Sequence, residues 1–145
     1  MTTDTIVLGT LPFRRPGAAQ NIAVRCQEFR ENFGRQLVES IIDAFIPDVQ
    51  HRLAALRFAV NSHDASLVAD EAHGLRGSCQ NLGAHRLGEI CQLMEERARR
   101  CEMASLFSLV TELETVWRHT LPYLEEEKTT RNEFAAQIFQ MSSEL

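Results

Sequence analysis

HGLRGSCQNLGA, residues 73–84, places a histidine on the outer face of an amphipathic helix. An α-helix turns about 100° per residue, so apolar residues that alternate at spacings of four and three share one face. The residues of this segment that follow the spacing are Val68, Ala72, Leu75, Cys79 and Leu82. His73 lies two positions from Leu75, a rotation of roughly 200°, so its side chain points away from the apolar face. We predict that its imidazole is open to solvent and to a partner.

Small and basic residues surround His73 on this outer face. Ala69 and Gly77 lie one helical turn away on either side and are too small to shield the ring. Gly74 and Gly77 each cost a helix about 1 kcal/mol relative to alanine, and close approach of a partner or of a phosphate is one physical reason to accept that cost. Arg76 lies on the same side and offers a planar, permanently charged group suited to phosphate oxygens.

The segment resembles the histidine-containing phosphotransfer (HPt) domains of multistep two-component phosphorelays. Those domains have His, any residue, Leu, Lys, Gly, Ser and Ser, then a Leu-Gly-Ala turn and a second helix with a pattern of Leu, Cys, Leu and Glu. The corresponding residues here are His73, Leu75, Arg76, Gly77, Ser78, Cys79, Leu82, Gly83, Ala84, Leu87, Cys91, Leu93 and Glu95. The similarity covers roughly residues 22–120, and it departs from the family at Arg76, usually lysine, and at Cys79, usually serine.

The resemblance implies a phosphoryl carrier in which His73 accepts the group from a receiver-domain aspartate and passes it to another. Arg76 would contact the phosphate, and Glu95 would accept a hydrogen bond from the protonated Nδ1 and orient the ring, which leaves Nε2 for attack. The partners would be response-regulator receiver domains, with the receiver of a hybrid histidine kinase as one candidate, and the receiver would supply Mg²⁺. This chain has no Gly-rich phosphate loop or Walker lysine, so we expect no ATP-dependent autokinase activity and no cofactor of its own.

Several interpretations stay open at the sequence level. Gln80 shares the outer face, where it either contacts a partner or the phosphate or is simply solvated. Arg97, Arg99 and Arg100 form a basic end to a helix, which suits the helix dipole, and docking of an acidic receiver is the alternative. The alternative function is a non-catalytic helical module that binds or sequesters a receiver or a histidine kinase. A kinase fragment or a metal-binding bundle is disfavoured because nucleotide and ligand motifs are missing.

The composition limits the other classes of function. A net charge of −5 argues against general nucleic-acid binding, which normally needs a basic face. No apolar run approaches the roughly 18 residues of a membrane span, so we expect a cytoplasmic protein, and we expect it to be a monomer. The four cysteines and five histidines show no metal-ligand spacing, so we predict reduced, packing cysteines and no metal site.

The apolar periodicity predicts an all-α fold, an antiparallel up-and-down four-helix bundle with an extra N-terminal helix. The predicted helices are 21–33, 36–60 with Pro47 as a bend, 65–82, 84–100 and 103–121 with Pro122 at its end. Residues 1–20 are predicted to be an N-terminal arm, 21–124 the bundle and 125–145 a C-terminal extension. That extension is read as an additional helix or a tail, with a partner-docking or dimerising helix as the alternative.

Overall fold

The computed structural model describes the backbone of residues 17–143 and the side chains of residues 21–128. This part of the chain folds into five helices, which are α1 (Gly17–Phe33), α2 (Arg35–Asn61), α3 (Ala65–Leu82), α4 (His85–Arg99) and α5 (Ala104–Ser143). Helices α2 to α5 pack in a ring around one apolar core, and α1 contacts all four of them. The predicted all-α bundle with an extra N-terminal helix is confirmed.

Ion pairs between neighbouring helices establish that the bundle is antiparallel. Arg57 of α2 pairs with Glu114 of α5, whereas Asp43, earlier on α2, pairs with Lys128, later on α5. Residue numbers therefore rise along one helix as they fall along the other. Short turns at residues 62–64, 83–84 and 100–103 connect the consecutive helices and enforce the same up-and-down order.

Helix α2 differs from its predicted register in its first two turns. Apolar spacing of four residues back from Phe45 places Ile41 and Leu37 on one face with it, but Leu37 is 40% exposed and Ile41 is only partly buried. Val38 and Ile42 are buried in their place. The apolar surface of α2 is wider than the bundle covers here, and Ile41 instead borders an open groove between α2 and α3.

Helix α3 has well-defined ends that fix its register. The Asp64 side chain accepts a hydrogen bond from the backbone N–H of Leu67 at 3.1 Å and so caps the first turn. Gly83 ends the helix with a φ of 82°, a left-handed conformation that glycine adopts without strain. A Cβ at Gly83 would lie only 2.8 Å from the carbonyl oxygen of Asn21, so this glycine also permits α1 to pack onto the α3–α4 turn.

Two predicted helix ends, one near each end of the chain, differ from those in the structure. Helix α5 does not end at Leu121 but continues through Pro122 to Ser143, so the predicted boundary at residues 124–125 does not coincide with a helix end. The exposed Pro122 is tolerated because Leu124 and later residues still pack against the bundle. At the other end, α1 begins at Gly17, inside the predicted arm, and residues 1–16 and 144–145 lie outside the described part of the chain.

Candidate functional site

His73 is exposed in the middle of α3, as the helical periodicity predicts. Its side chain keeps 61% of its accessible surface. Gly77, one turn further along, is exposed too, and a Cβ built there would have no atom within 4 Å apart from its chain neighbours and the backbone of its own helix. Gln80, on the next turn, is also exposed. A bulky reactant can therefore approach His73 from the side of Gly77 without meeting the protein.

Ala69 does not belong to this open surface, and its predicted exposure is wrong. The residue is 3% exposed. It borders the groove between α3 and the end of α4, together with Ala98 and Arg99. Because α4 packs along this side of α3, the position one turn before His73 faces the neighbouring helix rather than solvent.

Glu95 of α4 lies directly beside the imidazole of His73. The distances from Nδ1 of His73 to Oε2 and Oε1 of Glu95 are 3.1 and 3.3 Å. An ionised carboxylate can only accept a hydrogen bond, so this contact is satisfied when Nδ1 carries the proton. Nε2 then holds the free lone pair. The predicted pairing of His73 with Glu95 is present, and it favours the tautomer that leaves the lone pair on Nε2.

Two arginines hold Glu95 in its ionised form. Burial by itself would raise the pKa of Glu95, whose side chain is 12% exposed, but hydrogen bonding from Arg99 and the proximity of His73 and Arg76 outweigh it and hold the pKa below its usual value. Arg99 donates from Nη2 and Nε to Oε2 at 2.9 and 3.2 Å. Nη1 of Arg76 lies 3.9 Å from Oε1.

Gly74 has a role that the sequence does not predict. A Cβ at this position would lie 2.5 Å from Nη1 and 2.8 Å from Cζ of Arg52 on α2, so the guanidinium of Arg52 occupies the space that the glycine leaves. Nε of Arg52 lies 3.3 Å from Oδ2 of Asp48, and Nη1 donates to Oε1 of Glu71 at 3.2 Å. The Ser78 hydroxyl donates to Asp48 at 3.3 Å.

The Arg52–Gly74 arrangement brings little or no net stability. Glycine in a helix costs about 1 kcal/mol relative to alanine, and a partly exposed ion pair such as Arg52–Glu71 contributes about 0–1 kcal/mol. These two contributions nearly cancel. The clearance at Gly74 is therefore filled by the protein's own arginine, whereas the clearance at Gly77 is open.

The structure brings together His73, Arg76, Glu95, Gly77 and Gln80, but not Ala69, on the accessible face. The sequence analysis did not identify Arg99 as a hydrogen-bond partner of Glu95. The spacing of four residues, which brings side chains together on a helix, could have indicated this pair. Arg52 was missed as well, because it lies on a different helix and carries no local signal. Arg97 and Arg100 instead pair with Glu102 at the α4–α5 turn.

The structure also bears on the cysteines, on metal binding and on membrane spans. Cys26, Cys79 and Cys91 are buried, and burial raises the pKa of Cys91 to about 12, so its thiol stays protonated. Among the described residues, no group of three His, Cys, Asp or Glu side chains is placed to hold a metal ion. None of the helices in the described region is long and apolar enough to span a membrane.

Comparisons with known proteins identify the family to which the chain belongs. The Hpt domain family model matches residues 40–126, more than half of the chain, and includes His73, Arg76 and Glu95. The fold is similar to the crystal structure of histidine-containing phosphotransfer protein B (HptB) from Pseudomonas aeruginosa PAO1, with a TM-score of 0.70 and 25% sequence identity over 74% of this chain and 92% of that one. No curated protein sequence matches the chain. With a family match over most of the bundle and the same fold as a phosphotransfer protein, the chain belongs to the Hpt domain family.

Proposed function

We propose that this protein carries a phosphoryl group on Nε2 of His73 between the aspartates of receiver domains in a phosphorelay. The observation that carries the proposal is the pairing of an exposed imidazole with a carboxylate whose pKa is lowered. Glu95 favours Nδ1 as the protonated nitrogen, and Nε2 keeps the lone pair on a side chain that is 61% exposed. Membership of the Hpt domain family supports the same chemistry.

The transfer step follows from these positions. The lone pair of Nε2 attacks the phosphorus of the receiver's aspartyl phosphate, the N–P bond forms, and the bond between phosphorus and the aspartate oxygen breaks. The aspartate leaves as a carboxylate. The ring keeps its Nδ1 proton and becomes cationic, and the Glu95 carboxylate at 3.1 Å stabilises that charge. The reverse step returns the group to a second aspartate.

The protein's remaining contribution is to neutralise the charge of the phosphoryl group. Phosphoryl transfer passes through a loose transition state, for which positioning and charge neutralisation are the main catalytic means. Arg76 and Arg99 both lie beside Glu95 at the edge of the site. We assign direct phosphate contact to Arg76 and assign the Mg²⁺ of the reaction to the receiver domain.

The proposal is tested by incubating the protein with a receiver domain that carries radiolabelled phosphate. We expect acid-labile, base-stable label on the parent protein and none above background on His73→Gln. His119→Gln, which removes an exposed histidine of α5, is the matched control and retains the label. Circular dichroism should be unchanged in both variants because neither side chain is buried. Parental labelling of His73→Gln would refute the assignment.

A further inference from the structure

The guanidinium of Arg52 is held in a fixed place beside the phosphoacceptor. It lies against the backbone of Gly74, the residue that follows His73, and carboxylates hold two of its nitrogens: Asp48 holds Nε, and Glu71 holds Nη1. Within the described part of the chain, no group accepts a hydrogen bond from Nη2. Two oriented N–H donors are therefore left over at one end of the open groove between α2 and α3.

A receiver domain that reaches His73 must also cover Arg52. A protein interface of standard size buries about 800 Å² on each partner, equivalent to a disc of roughly 16 Å radius. Gly74 is joined directly to His73, so the guanidinium seated on it falls within such a disc centred on the imidazole. Once covered, the Nη2 donors need an acceptor, because a buried donor without one weakens the complex.

We propose that Arg52 is a docking residue for the receiver domain, and that its Nη2 group donates to an acceptor oxygen on the receiver's surface. This inference rests on the proposed function. Gly74 serves the docking contact by leaving room for the guanidinium, while Asp48 and Glu71 orient it before the partner arrives. Arg52 thus acts on binding of the receiver, whereas Glu95 acts on the reacting imidazole.

The test separates docking from chemistry. Rates of transfer from a phosphorylated receiver domain are measured against receiver concentration for the parent, Arg52→Met, Gly74→Ala and the double variant. Direct loading by phosphoramidate, a small donor that needs no docking surface, is measured in parallel. Arg57→Met is the matched control, because Arg57 also lies on α2 and pairs with a glutamate, but on the side facing α5.

We expect Arg52→Met and Gly74→Ala each to raise KM for the receiver about tenfold, the change that corresponds to losing one hydrogen bond to a charged group. In both, kcat and the rate of phosphoramidate loading stay at the parental values. The double variant is no worse than Arg52→Met, because alanine at position 74 already displaces the guanidinium. Arg57→Met behaves like the parent.

A parental KM for Arg52→Met overturns the docking role. A fall in kcat or in phosphoramidate loading without a rise in KM also overturns it, because Arg52 would then act on His73 or on the phosphate. Failure of the parent to load from either donor is a different result. That outcome refutes the proposed function, and the docking inference falls with it.

Discussion

In the proposed mechanism, Glu95 is the residue that converts a surface histidine into a defined nucleophile. An isolated imidazole on a helix exchanges its proton between both nitrogens. Here the carboxylate is fixed by Arg99 and accepts from Nδ1, so one tautomer is favoured before any partner arrives. Glu95 is largely buried and His73 is exposed, so the carboxylate lies beneath the imidazole.

The lowered pKa of Glu95 predicts a dependence of stability on pH. A carboxyl group whose pKa is lower in the folded state stabilises the protein fully above the unfolded value, about 4.3, and this stabilisation is lost as pH falls through the folded value. We expect Glu95→Gln to lower the free energy of unfolding by about 1.5 kcal/mol at pH 7, the size of one hydrogen bond to a charged group.

The difference between Glu95→Gln and the parent should be smaller at pH 3 than at pH 7, because protonation makes Glu95 neutral like glutamine as the pH falls through its lowered pKa. Urea unfolding at the two pH values measures it. Glu89→Gln, an exposed position on the same helix, is the control and should show little difference at either pH. A deficit of Glu95→Gln that stays constant with pH would show that its charge does not matter.

Single residues also mark the limit of sequence reasoning at this site. His73 and Glu95 could be predicted because helical periodicity places one on an outer face and family resemblance supplies the other. Ala69 was misplaced because periodicity within one helix does not say which flank a neighbouring helix covers. Arg52 could not be predicted, since its contact with Gly74 joins positions on different helices.

Among the helices, α3 combines the reactive residue with a weakened helical segment. Gly77 has open space around the position of a Cβ, so the first atom of a leucine side chain would meet no clash there. We expect Gly77→Leu to raise the free energy of unfolding by up to about 1 kcal/mol, because leucine forms helices better than glycine. The same side chain should block transfer from a receiver, because it stands one turn from His73 on the same face.

For Gly77→Leu, we therefore expect thermal unfolding to show higher stability and the phosphotransfer assay to show a lower rate than in the parent. Gly77→Ala, which adds only a methyl group, is the graded control and should gain similar stability with a smaller loss of transfer. Transfer at the parental rate in the leucine variant would mean that the partner approaches His73 from another side.

Helix α5 illustrates how packing overrides a local breaker. Proline inside a helix removes one backbone hydrogen bond and costs about 3 kcal/mol, which is why the sequence predicted an end at Pro122. The helix nevertheless continues, because Leu124 is fully buried and Glu127 pairs with Arg30 of α1 at 2.5 Å. The tertiary contacts beyond the proline outweigh its local cost.

Pro122→Ala should consequently stabilise the protein, by about 1–3 kcal/mol, because the exposed site regains a backbone N–H and a strong helix former. Chemical denaturation measures this gain. His119→Ala, an exposed site on the same helix, controls for helix propensity alone and should change stability by less than about 1 kcal/mol. A loss of stability in Pro122→Ala would show instead that a bend at this residue is needed to bury Leu124.

The molecule as a whole is a helical bundle that exposes the imidazole of His73. The four-helix ring was predictable from apolar spacing and short turns, since each helix needs an antiparallel neighbour to cover its apolar face. The packing of α1 on Gly83 and the extent of α5 were not, because both depend on contacts between distant parts of the chain. Folding of the bundle brings residues of α2, α3 and α4 together around His73.

The central claim concerns a single bond, between phosphorus and Nε2 of His73. The most direct measurement is NMR of the protein with ¹⁵N-labelled histidine after loading from a phosphorylated receiver domain. We predict phosphorus coupling to Nε2 of His73, with the proton retained on Nδ1 facing Glu95. Phosphorus on Nδ1, on another residue, or on no residue of the chain would contradict the account.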